Sequence, residues 1–147
     1  MPKPDARRID RIIDIARGAA PPGPGERENR ETAREPYAGP VALVQFRPSG
    51  DKTAPVTLAC QDISIGGLGV VSPRELPIGA RGAVLMLRSD GEPVMLGARV
   101  VYAHHRGPRG YECGLEFEIP PPAISLSLDD FRDATGNLPR LKVARAA

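Results

Sequence analysis

Two periods divide the chain. Over residues 5–17, "DARRIDRIIDIAR", Ile9, Ile12, Ile13 and Ala16 recur at helical spacing, which predicts an amphipathic helix with a narrow apolar stripe. Gly18 supplies a stop. From Pro40 onward the pattern changes to short runs rich in branched residues: "VALVQFR" (41–47), "VTLACQ" (56–61), "GLGVVS" (67–72), "GAVLMLR" (82–88), "VMLGARVVYAHH" (94–105) and "YECGLEFE" (111–118). The last alternates most cleanly. Tyr111, Cys113, Leu115 and Phe117 share one face, with Glu112, Gly114, Glu116 and Glu118 opposite. One dry and one wet face is the behaviour of antiparallel sheet. Six short strands with no helix between them predict a small closed barrel, which leaves no edge open to aggregation.

The segments between these runs set the organisation. "GAAPPGPGE" (18–26) is a proline- and glycine-rich linker expected to stay extended. "RENRETAREP" (27–36) is a charged arm with no apolar period, and Pro36 disfavours helix at Glu35. The arm is expected to be mobile unless something binds it. "SDGEP" holds an Asp-Gly pair between two strands, a hairpin signal. "IPPPAIS" breaks the sheet, and Ser127 with Asp130 then resembles a capping box. A short helix over 127–135 is expected, stopped by Gly136 and packed on the barrel through Leu128 and Phe131. The expected fold class is therefore mainly β: a six-stranded antiparallel barrel with a short C-terminal helix and an N-terminal helical extension. Residues 1–26 form the helix and linker, 27–135 the domain (arm 27–39, barrel 40–119, helix 127–135), and 136–147 a tail.

Composition narrows the chemistry. A chain of 147 residues is one domain by size and long enough to bury a core. With 20 basic against 18 acidic residues, the charge balance demands no long polyanionic partner. Cys60 and Cys113 are too few for a disulfide scaffold and lack metal-ligand spacing, so buried free thiols are expected. No apolar run approaches the roughly 18 residues that span a bilayer, and Asp5, Asp10 and Asp14 interrupt any secretion-signal pattern. The expected setting is soluble, reducing and cytoplasmic.

Catalytic constellations are thin. There is no nucleophile elbow, no Walker loop and no carboxylate pair beside an activated nucleophile. "GGLG" (66–69) leads into "VVSP" rather than into the helix a dinucleotide fold needs. His104 and His105 are adjacent on a strand and point to opposite faces, which suits a surface pair better than a metal or acid–base site. Nothing in the sequence argues for an enzyme, a catalytic residue or a metal.

Two polar groups remain. Arg30 to Arg34, "RETAR", reads R-x-x-x-R just before the first barrel strand. Asp62 to Gly67, "DISIGG", reads D-x-S-x-x-G at the junction of the second and third strands. In this order, on a six-stranded barrel followed by a helix, the two motifs resemble those of the PilZ domain family, over about residues 27–135. "YECGLEF" is also similar to that family's closing strand. The resemblance implies a receptor for cyclic di-GMP, with Arg30, Arg34, Asp62, Ser64, Gly66 and Gly67 at the ligand. Ligand that orders the mobile arm against the barrel is expected to shift the N-terminal helix and so to alter contact with a protein partner.

The residue chemistry is compatible with that ligand. A guanidinium pairs in a two-pronged way with guanine O6 and N7 or with phosphate, and also stacks on a base. A carboxylate at Asp62 accepts from guanine N1–H and N2–H, and Ser64 two residues on lies on the same face. Gly66 and Gly67 permit positive φ and let a bulky base approach the backbone closely. Arg30 and Arg34 can be solvated charges paired with Glu26, Glu31 or Glu35. Asp62 and Ser64 can satisfy the donors of a tight turn.

At the level of the whole chain, a PilZ-like adaptor acting only through protein contacts is the alternative. An oligonucleotide-binding barrel is disfavoured by three tyrosines, three phenylalanines and no tryptophan, because such surfaces need stacking aromatics. The N-terminal helix carries Arg7, Arg8, Arg11 and Arg17, but its aspartates and lack of aromatics argue against lying on a membrane. Packing on a partner, a second copy or the barrel all remain open for it.

Overall fold

A computed structural model of the chain describes residues 6–16, 35–49, 51–119 and 124–132. Helix α1 spans Ala6–Ala16. Six strands follow: β1 Glu35–Gln45, β2 Val56–Ser64, β3 Gly67–Ser72, β4 Arg81–Leu87, β5 Pro93–His105 and β6 Tyr111–Glu118. All pairings are antiparallel, and the order β1-β2-β3-β6-β5-β4 closes on itself into a barrel. The Asp-Gly hairpin forms between β4 and β5, with Gly91 at φ 87°.

The barrel interior is filled by the alternating residues of every strand. Val41, Leu43, Leu58, Ile63, Leu68, Val70, Val84, Met86, Leu96, Val100, Cys113 and Leu115 form one buried cluster. Strands β1 and β4 are buried on their outer faces too. There Ala42, Val44, Ala83 and Leu85 meet Phe131, which is fully buried. Two covered faces explain why "VALV" and "AVLM" are continuously apolar rather than alternating.

Helix α1 packs on the barrel, settling what the sequence left open. Ile9, Ile12 and Ile13 join the interior cluster, and Ile13 is fully buried. The aspartates dock the same helix to the β4–β5 hairpin. The Asp10 carboxylate accepts from the Ser89 amide at 2.9 Å and from the Ser89 hydroxyl, while Arg88 pairs with Asp14. Arg88 sits among four carboxylates, with Asp10, Asp90 and Glu92 at 3.8, 3.8 and 3.7 Å; the hydrogen bond to Asp14, then the charges of Asp14, Asp10 and Asp90, hold its pKa above the usual value.

Two expectations need correction. The helix expected over 127–135 is a single 3-10 turn, Leu128–Phe131, and Arg132 is already extended at φ −80°, ψ 142°. The start signal works as read: the Ser127 amide donates to the Asp130 carboxylate at 2.8 Å. A capping signal fixes where a turn begins but not its length, and one turn is enough to seat Phe131. Residues 133–135 lie outside the described residues. The arm expected over 27–39 is also shorter, because its last five residues belong to β1, with Glu35, Pro36 and Gly39 opposite Ile63, Asp62 and Cys60 of β2. The residue before a proline prefers extended backbone, which suits a strand as well as a loop, and the ladder accommodates the segment by an irregularity between Pro36 and Gly39.

Candidate functional site: a glycine-floored face of the barrel

The D-x-S-x-x-G segment forms the β2–β3 hairpin. Strand β2 ends at Ser64, Ile65 and Gly66 make the turn, and β3 begins at Gly67. The Ser64 hydroxyl accepts from the Gly66 amide at 3.3 Å, so Ser64 braces the turn. A hydroxyl that accepts one bond still has a proton to donate. The Gly66 carbonyl accepts from the Phe117 amide at 2.8 Å, tying the turn to β6.

Neither Gly66 nor Gly67 uses the positive φ that glycine permits; among the described residues only Gly79, Gly91, Gly107 and Gly110 adopt it. Gly67 is needed for a different reason. A Cβ there would lie 1.9 Å from the Leu115 carbonyl oxygen, so only glycine lets β3 approach β6 this closely. At Gly66 the nearest atom to a Cβ would be the Ser64 hydroxyl oxygen at 3.8 Å, an ordinary contact.

Which way Asp62 points is decided by a β-bulge. Leu58 and Cys60 face the interior, and simple alternation would send Asp62 and Ser64 after them. The β2–β3 register instead jumps between Cys60 and Asp62, with Cys60 opposite Val70 and Asp62 opposite Gly69. The extra residue, Gln61, reverses the phase. Ile63 becomes fully buried, and Asp62 lies half-buried on the barrel exterior. Strand β5 does the same. Its register jumps between Val100 and Tyr102, with Val100 opposite Leu115 and Tyr102 opposite Gly114. The extra Val101 turns Tyr102 outward after Leu96, Ala98 and Val100 have faced in.

Both bulges lie on one transverse row. Asp62 pairs with Gly69, Gly69 with Gly114, and Gly114 with Tyr102. The two middle positions are glycine, and the flanking side chains occupy the space above them. A Cβ on Gly69 would lie 2.8 Å from the Asp62 carboxylate, and one on Gly114 would lie 2.1 Å from the Tyr102 ring. The carboxylate and the ring thus lean toward each other over adjacent strands whose paired Cα atoms are about 5 Å apart.

Beside this row, between Ser64, Gly67, Tyr102, Gly114 and Glu116, lies a cleft of about 380 Å³; Asp62 stands next to it rather than in its lining. That is toward the lower end of the roughly 300–1,000 Å³ of small-molecule sites. Glu116 is the charged residue of its lining, and it pairs with Arg99 of β5 at 3.0 Å.

Four of the six expected site residues, Asp62, Ser64, Gly66 and Gly67, are thus brought together on one hairpin. Arg30 and Arg34 lie outside the described residues. Gly69, Gly114, Tyr102 and Glu116 belong to neither motif of the sequence. The alternation in "YECGLEF" does place Gly114 opposite the buried set, but the bulge that exposes Tyr102 leaves no local mark. Cys60 and Cys113 are buried and free; burial, then the Asp62 charge, pushes the Cys60 thiol up to about 12. His104 and His105 are exposed, with ring centroids 5.3 Å from Tyr102 and 5.1 Å from Tyr111. Among the described residues, no group of three His, Cys, Asp or Glu is placed to hold a metal ion, and no helix is long and apolar enough to cross a membrane.

Comparison with curated proteins finds no match. Among solved structures, the chain is similar to the PilZ domain of YcgR from Escherichia coli with c-di-GMP, at 17% identity and a TM-score of 0.37, over 58% of this chain and 72% of that one. The family model for the PilZ domain matches residues 28–130, a span that takes in R-x-x-x-R, D-x-S-x-x-G and the whole barrel. This chain belongs to the PilZ domain family.

Proposed function

We propose that this chain is a non-enzymatic receptor for cyclic di-GMP that passes ligand binding on to a protein partner. The observation that carries the reading is the position of Asp62. A bulge holds its carboxylate on the barrel exterior, over a glycine and beside a cleft, at the motif hairpin of a PilZ domain. A carboxylate held there accepts the N1–H and N2–H donors of guanine. Ser64 adds a hydroxyl, and the Gly66–Gly67 backbone lets the base come close. Arg30 and Arg34, at the amino-terminal side of β1, supply the cations for guanine Hoogsteen edges and phosphates.

The connectivity suggests how binding becomes a signal. Residues 17–34 join α1 to β1 and carry both arginines. The register places the start of β1 beside Ile63 of β2, close to the motif turn. The hairpin that holds Asp10 and Asp14 follows β4, at the same end of the barrel. A ligand that draws the arginines onto the hairpin pulls on the chain that leads directly to α1, and the altered set of α1 is what the partner reads.

Calorimetric titration with cyclic di-GMP tests the reading. The wild-type chain is expected to bind, and Arg30→Ala, Arg34→Ala and Asp62→Ala each to weaken binding roughly ten- to a hundred-fold, as loss of a two-pronged contact to guanine does. No heat from the folded wild-type chain overturns the receptor reading and favours an adaptor that works through protein contacts alone.

A further inference from the structure

The Asp62 row contains an aromatic group that the motif does not include. Tyr102 reaches the exterior only because β5 is bulged at Val101, and that bulge sits level with the one that turns Asp62 out. Strand β5 lies two strands beyond β3, so its bulge is a separate feature of the chain. Bulges next to sites re-aim side chains. Here two of them converge on the ends of one row, and the residues between are glycines whose missing side chains are replaced by the Asp62 carboxylate and the Tyr102 ring. The ring also lines the cleft with Ser64, Gly67 and Glu116.

A carboxylate beside an aromatic face is what a planar base with edge donors requires. The carboxylate reads the edge while the ring takes the face. Stacking on an aromatic side chain is tolerant of which base is present, whereas the edge contact is selective, so the two groups divide affinity and specificity. Resting on the cyclic di-GMP reading above, we infer that Tyr102 is a ligand-binding residue: its ring stacks on a guanine whose Watson–Crick edge is held by Asp62.

A structural role for Tyr102, covering an otherwise bare Gly114 as aromatics do in sheets, predicts a loss of stability without any contact to ligand. Fluorescence separates the two roles, because the protein has three tyrosines and no tryptophan. In the full chain carrying Tyr37→Phe and Tyr111→Phe, Tyr102 is the sole emitter. Its emission is expected to fall saturably as cyclic di-GMP is added, with the midpoint found by calorimetry. Tyr102→Ala in the otherwise wild-type chain is expected to weaken binding roughly ten- to a hundred-fold, and Tyr102→Phe to retain it. If the wild-type chain binds and Asp62→Ala weakens it, but emission is unchanged and Tyr102→Ala binds normally, the role of Tyr102 is overturned and the receptor reading stands. If the folded wild-type chain gives no heat, the receptor reading fails and the role of Tyr102 falls with it.

Discussion

Gly69 on β3 and Gly114 on β6 face each other as register partners, and each lacks a side chain where a neighbour's functional group lies. The exterior of a four-strand patch is thereby levelled, and its polar and aromatic groups are carried in from β2 and β5. Such a surface is specific in shape without being deep.

Alanine at either glycine tests this directly. At Gly69 the new Cβ would meet the Asp62 carboxylate, and at Gly114 the Tyr102 ring, both side-chain ends that can swing away. The fold is expected to persist in Gly69→Ala, by circular dichroism and melting temperature. On the receptor reading proposed above, affinity for cyclic di-GMP is expected to fall about ten-fold or more, because the Asp62 carboxylate is displaced.

Gly66 and Gly67 are adjacent but unequal. A methyl at Gly67 would run into the Leu115 carbonyl oxygen, which is backbone and cannot move without separating β3 from β6. Gly67→Ala is expected to cost about 1–3 kcal/mol, the range of overpacking strain. Gly66→Ala is expected to leave the unfolding midpoint within about 0.5 kcal/mol of wild type. Urea denaturation of the two variants side by side checks the contrast.

Helix α1 is held by three isoleucines and an ionic clasp. Ile13→Ala is expected to cost roughly 2–4 kcal/mol, since Ile13 is fully buried. Arg88→Ala leaves Asp14 without this partner and removes the cation shared by Asp10. Both variants are expected to raise hydrogen exchange across residues 6–16.

Phe131 covers the outer faces of β1 and β4, where Ala42, Val44, Ala83 and Leu85 would otherwise meet water. Phe131→Ala is expected to destabilise the barrel by roughly 3–5 kcal/mol in chemical denaturation. A loss under 1 kcal/mol would mean the turn contributes little to the fold.

Cys60 links stability to pH. The unfolded thiol ionises near its ordinary value of 9.0, whereas the folded one does so only at about 12. The folded value is the raised one, so its contribution is fully present below about pH 9 and is lost as pH climbs toward 12. Between about pH 8 and about pH 10.5, stability is expected to fall by about 2 kcal/mol more in the wild type than in Cys60→Ala. At about pH 8, neither Cys60 nor Cys113 is expected to react with a disulfide reagent until the chain is unfolded, because burial raises both thiols.

Local chemistry alone determined much of this protein. Branched runs and turn residues marked all six strands to within a few residues, because the 2-residue period of a half-buried strand is written in adjacent positions. The only exceptions of length were the start of β1 and the end of β2. The isoleucine stripe marked α1, and the hydroxyl and glycines of "DISIGG" marked the motif turn. Tertiary structure decided the rest. Closing six strands into a barrel set which strand meets which, and bulges at Gln61 and Val101 reversed the faces of the residues beyond them. A period read along one strand carries no record of an extra residue that exists only relative to its neighbour. Hence Asp62 was legible as a candidate, whereas its outward direction, the glycines beneath it and Tyr102 beside it emerged only when four strands came together.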